Sequence, residues 1–331
     1  MTPPAAHGYA MPAEWTRHAR CWIAWPCWKV LGPSRLAAAR RATAEIARAV
    51  AEFEPVTMIV RPAHRDDAAA QCGGAVDVME IDIDDAWTRD TGPTFVTDGT
   101  GQLAGCDWRF NAWGGGKQSH LRDAVLAQTV LEKLNLRRFA APFVLEGGAI
   151  HVDGNGTSLT TETVLLNENR NPAMDRAAME EALSGWLGVR RVIWLPYGAD
   201  GDETDGHVDN VACFVRPGSV LALTCDDPDS PNHDRLAANL AVLRKVDPPF
   251  EIHTVKMARR RPVGKQILSY VNFYIANGGI VMPSFDDPAD DAARDVIAAL
   301  FPDRRVVQIP ALDLCWCGGG IHCITQQQPA V

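Results

Sequence analysis

Two segments of this chain set a thiol and an imidazole among groups that could make them reactive. Near the C-terminus, Cys317-Gly-Gly-Gly-Ile-His-Cys-Ile-Thr-Gln-Gln-Gln-Pro329 brings three glycines, and with them close-approaching backbone amides, beside His322 and Cys323. A thiol among amide donors can be stabilised as thiolate, the form that attacks carbon, so Cys323 is a candidate nucleophile. The second segment, Asp200-Gly-Asp-Glu-Thr-Asp-Gly-His-Val-Asp209, holds five carboxylates in ten positions around His207. It does not fit a calcium loop, because Asp205 stands where that loop needs glycine and Val211 where it needs its bidentate acid. His207 and Asp209 are two apart at the start of an apolar strand, which would turn both to one face. Carboxylates that close would favour the imidazolium and raise its pKa, which suits a proton donor near neutral pH.

Two further stretches are dense in functional groups. Asp84-Asp-Ala-Trp-Thr-Arg-Asp-Thr-Gly-Pro93 follows an expected strand over Val78–Ile83, and strand ends are where α/β architectures build sites. Its plainer reading is a capped loop with an Asp84/Arg89 surface pair. Glu146-Gly-Gly148 ends an apolar strand with an acid and two glycines. An alternative chemistry draws His151, His207, Asp209 and His322 together as a metal site for a hydrolase, although their spacing fits no standard ligand motif.

These segments need a scaffold, and the apolar periodicity supplies one. Leu36, Ala39, Thr43, Ile46, Val50 and Phe53 recur at helical spacing behind a capping candidate at Ser34. Similar patterns occupy 121–136, 173–187, 233–246 and 289–301, and a short β-rich run follows each: Val56–Val60, Phe143–Leu145, Val192–Leu195, Ile252–Val255 and Val306–Ile309. Turn signals at Asp153-Gly-Asn-Gly156, Arg216-Pro-Gly-Ser219 and Asn277-Gly-Gly279 mark hairpins. The unit of helix, strand and hairpin occurs about five times, which predicts a radial α/β repeat. A doubly wound nucleotide fold would have single strands between its helices and a G-x-G-x-x-G turn, which is absent. No Pro-, Gly- or Ser-rich linker divides the chain, so a single domain over residues 1–331 is expected.

Composition narrows the partners. With 32 Lys and Arg against 41 Asp and Glu, the formal charge is -9, which argues against nucleic acid and suits a small cation. The nine cysteines are irregularly spaced and odd in number, unlike a secreted disulfide scaffold. Met1-Thr-Pro-Pro-Ala-Ala-His7 has no basic stretch leading into an apolar run, and no later run is long enough to span a membrane. A reducing, cytoplasmic setting without membrane contact is expected, and the N-terminal Trp15, Trp22, Trp25 and Trp28 are expected in the core, with a subunit interface in a homo-oligomer as their alternative.

At Met11-Pro-Ala-Glu-Trp-Thr-Arg-His18, Trp22-Ile-Ala-Trp-Pro26, Ala86-Trp-Thr-Arg-Asp-Thr-Gly-Pro93, Phe110-Asn-Ala-Trp-Gly114, Glu146-Gly-Gly148, Leu166-Asn-Glu-Asn-Arg-Asn-Pro172, Asp202-Glu-Thr-Asp-Gly-His-Val-Asp-Asn210 and Ile321-His-Cys-Ile-Thr-Gln-Gln327, the chain resembles the agmatine deiminase family, grouped with bacterial-type peptidylarginine deiminases. The resemblance runs in order over nearly the whole length. It implies a five-bladed α/β propeller with pseudo-fivefold symmetry and hydrolysis of agmatine to N-carbamoylputrescine and ammonia, a step toward putrescine and other polyamines. By resemblance Cys323 is the nucleophile, His207 the general acid and base, and Glu146 orients His207. Asp90 and Asp209 would grip the guanidinium, Trp87 would line the pocket, and Glu203 would face the distant ammonium. No metal or organic cofactor is implied. Deimination of peptidyl arginine, free arginine or another guanidino compound is the close alternative.

Overall fold

The computed structural model describes residues 2–27, 32–115, 119–260 and 267–331; Trp28 lies outside them. Strands β1 (His18–Ala24), β2 (Val56–Val60) and β3 (Val76–Glu80) run parallel, linked by helices Gly32–Ala51 and Arg65–Cys72. All five residues of β2 are buried, as expected of a strand paired on both edges and covered on both faces. Next, β4 (Thr94–Thr97) and β5 (Leu103–Arg109) form an antiparallel pair, and after the helix Leu126–Lys133 strand β6 (Arg137–Val144) adds parallel to β5.

The same unit of antiparallel pair, helix and parallel strand then recurs. It is built by β7 (His151–Val152), β8 (Thr157–Thr161), helix Arg176–Leu187 and β9 (Arg191–Leu195). It returns as β10 (Ala212–Arg216), β11 (Ser219–Thr224), helix Pro231–Leu243 and β12 (Glu251–Lys256). The last copy is β13 (Tyr274–Ala276), β14 (Gly279–Ser284), helix Asp290–Leu300 and β15 (Arg305–Pro310). Strand β16 (Thr325–Pro329) comes back to lie antiparallel to β1, Cys21 opposite Gln327. The first sheet, in the order β16-β1-β2-β3, is therefore the same unit with its antiparallel pair contributed by the two ends of the chain.

Local chemistry explains the breaks between elements. Asp175 caps its helix by accepting from the Ala178 amide at 2.9 Å, and Gly188 ends that helix at φ 70. The helix Gly32–Ala51 buries Ala39, Thr43, Ile46 and Val50 of the expected stripe, while Leu36 is half-buried and Phe53, also half-buried, lies past the helix end. It starts before Ser34, which sits inside its first turn, because Pro33 has no N–H to leave unsatisfied there. Trp22 and Trp25 are fully buried in the core. Glu54 clasps the first unit to the last, accepting from Tyr274 Oη at 2.7 Å with His18 Nδ1 at 3.1 Å.

Several expected boundaries shift, each for a pairing reason. The strand placed over Val78–Ile83 is β3, ending at Glu80, because its partner β2 ends at Val60. The strand that the Asp153–Gly156 turn leads into, β8, stops at Thr161, where β9 runs out opposite it, and Glu162–Leu165 forms a helical turn that buries Val164 and Leu165. Of the run Phe143–Leu145, Phe143 and Val144 end the longer β6, extended by its pairing with β5, and Leu145 lies just past it.

Candidate active site

The five connections that lead out of one sheet and into the next deliver their polar side chains to one buried space. Asp90 follows β3, Glu146 follows β6, His207 and Asp209 follow β9, Asn272 follows β12, and Cys323 follows β15. All six side chains are buried. Gly148 stands at their meeting point: a Cβ there would lie 2.5 Å from His207 Nδ1 and 3.0 Å from both Asp209 Oδ2 and Asp90 Oδ1. Only hydrogen at this position leaves room for the three groups to converge.

Each group is held from behind. Asp90 accepts from the Gly148 amide and from Trp113 Nε1, both at 2.9 Å. Trp113 adopts φ 54, a left-handed backbone that a bulky residue takes only when its surroundings enforce it. Glu146 accepts from Arg170 Nε at 2.7 Å, and both side chains are fully buried. His207 lies between two acids, Nδ1 3.7 Å from Asp90 and Nε2 3.6 Å from Glu146. Cys323 Sγ is 3.6 Å from Asp209 Oδ2 and accepts from Asn272 Nδ2 at 3.3 Å. His207 Nε2, Glu146 Oε2 and Asp209 Oδ1 have no hydrogen-bond partner among the described residues. Buried polar atoms left unpaired in one pocket are positioned for a polar ligand.

The electrostatics set each protonation state. Burial alone would lower the His207 pKa, but Asp90 and Glu146 outweigh it and push the imidazole up to about 9. Burial likewise works against the charge of Glu146 and Asp209, yet His207 and Arg170 hold the first, and His322 the second, below the ordinary carboxylate range. Asp90, with the Asp209 and Glu146 charges near it, is raised by burial despite the pull of His207. Burial, then Asp209 and Asp90, push the Cys323 thiol well above its usual value. Burial and two carboxylates thus work against the expected thiolate, which the Gly320 amide and Asn272 favour.

One expectation about local structure fails while its consequence survives. His207 and Asp209 are not two residues of a strand; Val208–Asn210 is a 3₁₀ turn, and β10 begins at Ala212. The turn still carries both side chains into the pocket. Arg89 pairs with buried Glu14 at 3.2 Å instead of forming a surface pair with Asp84, which takes Arg61 and Arg122. Trp87 is buried against the glycine loop, where a Cβ on Gly319 would meet its ring at 2.4 Å. Glu203 is exposed beside the same loop, its Oε2 3.2 Å from where a Gly318 Cβ would stand. Among the described residues no group of three or more His, Cys, Asp or Glu side chains is arranged to hold a metal ion, and no helix is long and apolar enough to cross a membrane. All nine cysteines are free thiols.

Glu14, Asn272, Trp113 and Arg170 were not singled out as site residues. The signal for Asn272 is its phase in the repeat: like Cys323, it lies two residues before a strand that opens a unit. Glu14 has no such signal, since it reaches the centre from outside the repeat.

The raised imidazole has a measurable cost at alkaline pH. A group whose folded pKa exceeds its unfolded value stabilises fully below the unfolded value, near 6.5, and that stability is lost as pH climbs toward about 9. The urea midpoint is expected to fall between pH 6.5 and 8.5, below where exposed thiols titrate, within a total on the order of 3 kcal/mol for the full shift. His207→Gln should flatten that slope; an unchanged slope in the variant would assign the pH dependence elsewhere.

A buried thiol flanked by an imidazolium and carboxylates, presented where five small α/β sheets connect, defines a cysteine-centred site for a cationic ligand. The chain belongs to the Porphyromonas-type peptidyl-arginine deiminase family, whose model matches residues 10–329. It is 44% identical to the agmatine deiminase of Ectopseudomonas mendocina over 363 aligned positions, covering 99% of this chain and 98% of that protein. The agmatine deiminase of Enterococcus faecalis superposes with a TM-score of 0.94 at 33% identity, covering 100% of this chain and 98% of that one. The C. jejuni agmatine deiminase with substrate bound aligns with a TM-score of 0.87 at 25% identity, covering 97% of this chain and 98% of that one.

Proposed function

We propose that the chain is an agmatine deiminase, a hydrolase of the C–N bond of a linear amidine, which converts agmatine to N-carbamoylputrescine and ammonia through a covalent intermediate on Cys323. The observation that carries this reading is the convergence at Gly148, where His207, Asp209 and Asp90 meet beside a buried thiol. A guanidinium carbon is a poor electrophile because its charge is delocalised, so carboxylates must hold it in one plane and present it to the nucleophile. Asp90 and Asp209 take that role. The incoming cation also offsets the two charges that, with burial, raise the thiol, so substrate binding favours release of the Cys323 proton to solvent and formation of the thiolate.

Cys323 Sγ then adds to the guanidinium carbon and a C–S bond forms. His207, already an imidazolium, gives its proton to the departing nitrogen, the C–N bond breaks and ammonia leaves. The neutral imidazole takes a proton from water, and the hydroxide adds to the thiouronium. Collapse breaks the C–S bond as the hydroxyl proton passes to solvent, and releases the ureido product with the thiolate restored. Glu146, tied to Arg170, orients His207 and favours its protonated form. Trp87 forms the wall and Glu203 faces the ammonium end of agmatine.

The five units with one polar connection each, and the pairing of β16 with β1, support a five-bladed propeller closed about a pseudo-fivefold axis, built as a single domain over 1–331. Nine free thiols suit the reducing cytoplasm. An ammonia-release comparison of agmatine, free arginine and a C-terminal arginyl peptide tests the substrate. Agmatine is expected to have the highest kcat/KM, and Glu203→Gln to raise the KM for agmatine about tenfold, the loss of one charge contact. Preference for the peptide, with Glu203→Gln silent, would reassign the substrate to peptidyl arginine.

A further inference from the structure

His322 precedes the nucleophile in the chain but points away from the reacting groups, into a cluster behind Asp209. Its Nδ1 is 2.9 Å from Asp209 Oδ2, and its Nε2 is 3.0 Å from both oxygens of Glu14. Glu14 and Asp209 are both held below the ordinary carboxylate range, and ionised carboxylates only accept, so both ring nitrogens donate and the ring is an imidazolium. Burial and Arg89 act against that charge, yet Glu14 and Asp209 raise the pKa of the ring above its ordinary value. The remaining groups facing it are Arg89, whose Nη1 is 3.2 Å from Glu14, His151, whose ring stacks at 6.4 Å and whose Nε2 is 3.6 Å from Glu14, and the Cys213 thiol, which lines the gap beside the ring. Its backbone is fixed as well, the amide donating to Asn272 Oδ1 at 3.0 Å.

We propose that His322 is a positioning residue: held against Glu14, it locks the Asp209 carboxylate with Oδ2 beside Cys323 and Oδ1 unpaired, ready to accept from the substrate guanidinium. The geometry gives each Asp209 oxygen a separate task. Oδ2 is taken by His322 and lies 3.6 Å from Cys323 Sγ, while Oδ1 is buried without a partner among the described residues. Without the His322 bond the carboxylate can rotate and spend Oδ1 elsewhere. This inference rests on the pocket being a guanidinium site.

Two amide substitutions separate positioning from packing. The amide nitrogen of His322→Asn comes near the place of Nδ1 and can still donate to Asp209; that of His322→Gln comes near Nε2 and serves Glu14 instead. At matched thermal midpoints, H322N is expected to keep kcat/KM for agmatine within about tenfold of wild type, whereas H322Q loses about a hundredfold, the scale of a misplaced contact. The same order is expected in the rate of inactivation by 2-chloroacetamidine, an amidinium whose chloride Cys323 Sγ displaces to form a thioether. Should H322Q fail to fold, Glu14→Gln keeps an acceptor for Nε2 but removes the charge that raises the ring. The alkaline limb of kcat/KM should then move to lower pH by about one unit. Equal losses in H322N and H322Q, or an E14Q profile that superimposes on wild type, overturn the inference. Wild-type enzyme that neither turns over agmatine nor is alkylated by the amidine overturns the guanidinium reading and the inference with it.

Discussion

Cys323→Ala is expected to abolish ammonia release from agmatine, with kcat falling about ten-thousand-fold or more, the scale seen when a covalent nucleophile is removed. The fold should be untouched. The side chain is small and buried, it makes only weak sulfur contacts at 3.3 to 3.6 Å, and alanine removes a single heavy atom. Removing a neutral thiol beside Asp209 and Asp90 also leaves their seat for a guanidinium in place. The variant should therefore still bind agmatine, measurably by calorimetry, while releasing no ammonia. Mass spectrometry of the wild type quenched during turnover should reveal a covalent adduct that the variant lacks. Retention of more than a trace of activity in Cys323→Ala would remove the covalent route and return the reaction to direct attack by water.

Gly148→Ala should rank next, although it deletes no functional group. The added methyl would stand 2.5 Å from His207 Nδ1 and 3.0 Å from one oxygen each of Asp90 and Asp209. The contact to His207 is too short for a methyl, so the imidazole must shift, and the two acids at 3.0 Å must give by tenths of an ångström with it. A displacement of about 1 Å in groups that must meet a planar cation costs about a hundredfold in rate. Loss of the Gly148 amide contact to Asp90, 2.9 Å in the wild type, would add to it. The expected result is a drop of about a hundredfold to a thousandfold in kcat/KM with a thermal midpoint within a few degrees of wild type. The comparison with His207→Gln is informative: if Gly148→Ala were nearly silent, the convergence at this glycine would have no part in catalysis.

Much of the site is legible in the chain because its parts sit in short, polar, glycine-flanked segments next to apolar runs. Glu146-Gly-Gly148 and the glycines before His322 and Cys323 stand out because glycine between strands marks close approach of backbone to other groups. Hidden were the supports. Arg170 lies in Asn167-Glu-Asn-Arg170, which reads as loop chemistry until its guanidinium is found buried against Glu146. Glu14 stands in the segment Met11–His18 with no acid or base beside it to mark its partners, yet it is almost fully buried against Arg89 and His322. A charged residue that is buried with its partner leaves no local pattern, because the partner can come from anywhere in the chain.

The thiol shows the limit of local reasoning most clearly. Amide-rich glycine loops favour a thiolate wherever they occur, but the pKa of Cys323 follows the sum of burial and of two carboxylates more than a hundred residues away in the chain. The repeat tells a similar story on a larger scale. Apolar spacing and turn residues marked about five copies of helix, strand and hairpin, since a helix, or a hairpin within one stretch of chain, is specified by contacts a few residues apart; the pair β16–β1 is not. Where those copies face was decided only in three dimensions. Joining β16 to β1 brings Cys21 opposite Gln327, and packing turns Asp90, Glu146, His207, Asp209, Asn272 and Cys323 into one space. Residue types and spacing thus specified which groups could do the chemistry; the distances among them, and the charge state of each in a dry pocket, depend on long-range packing that no window of the sequence contains.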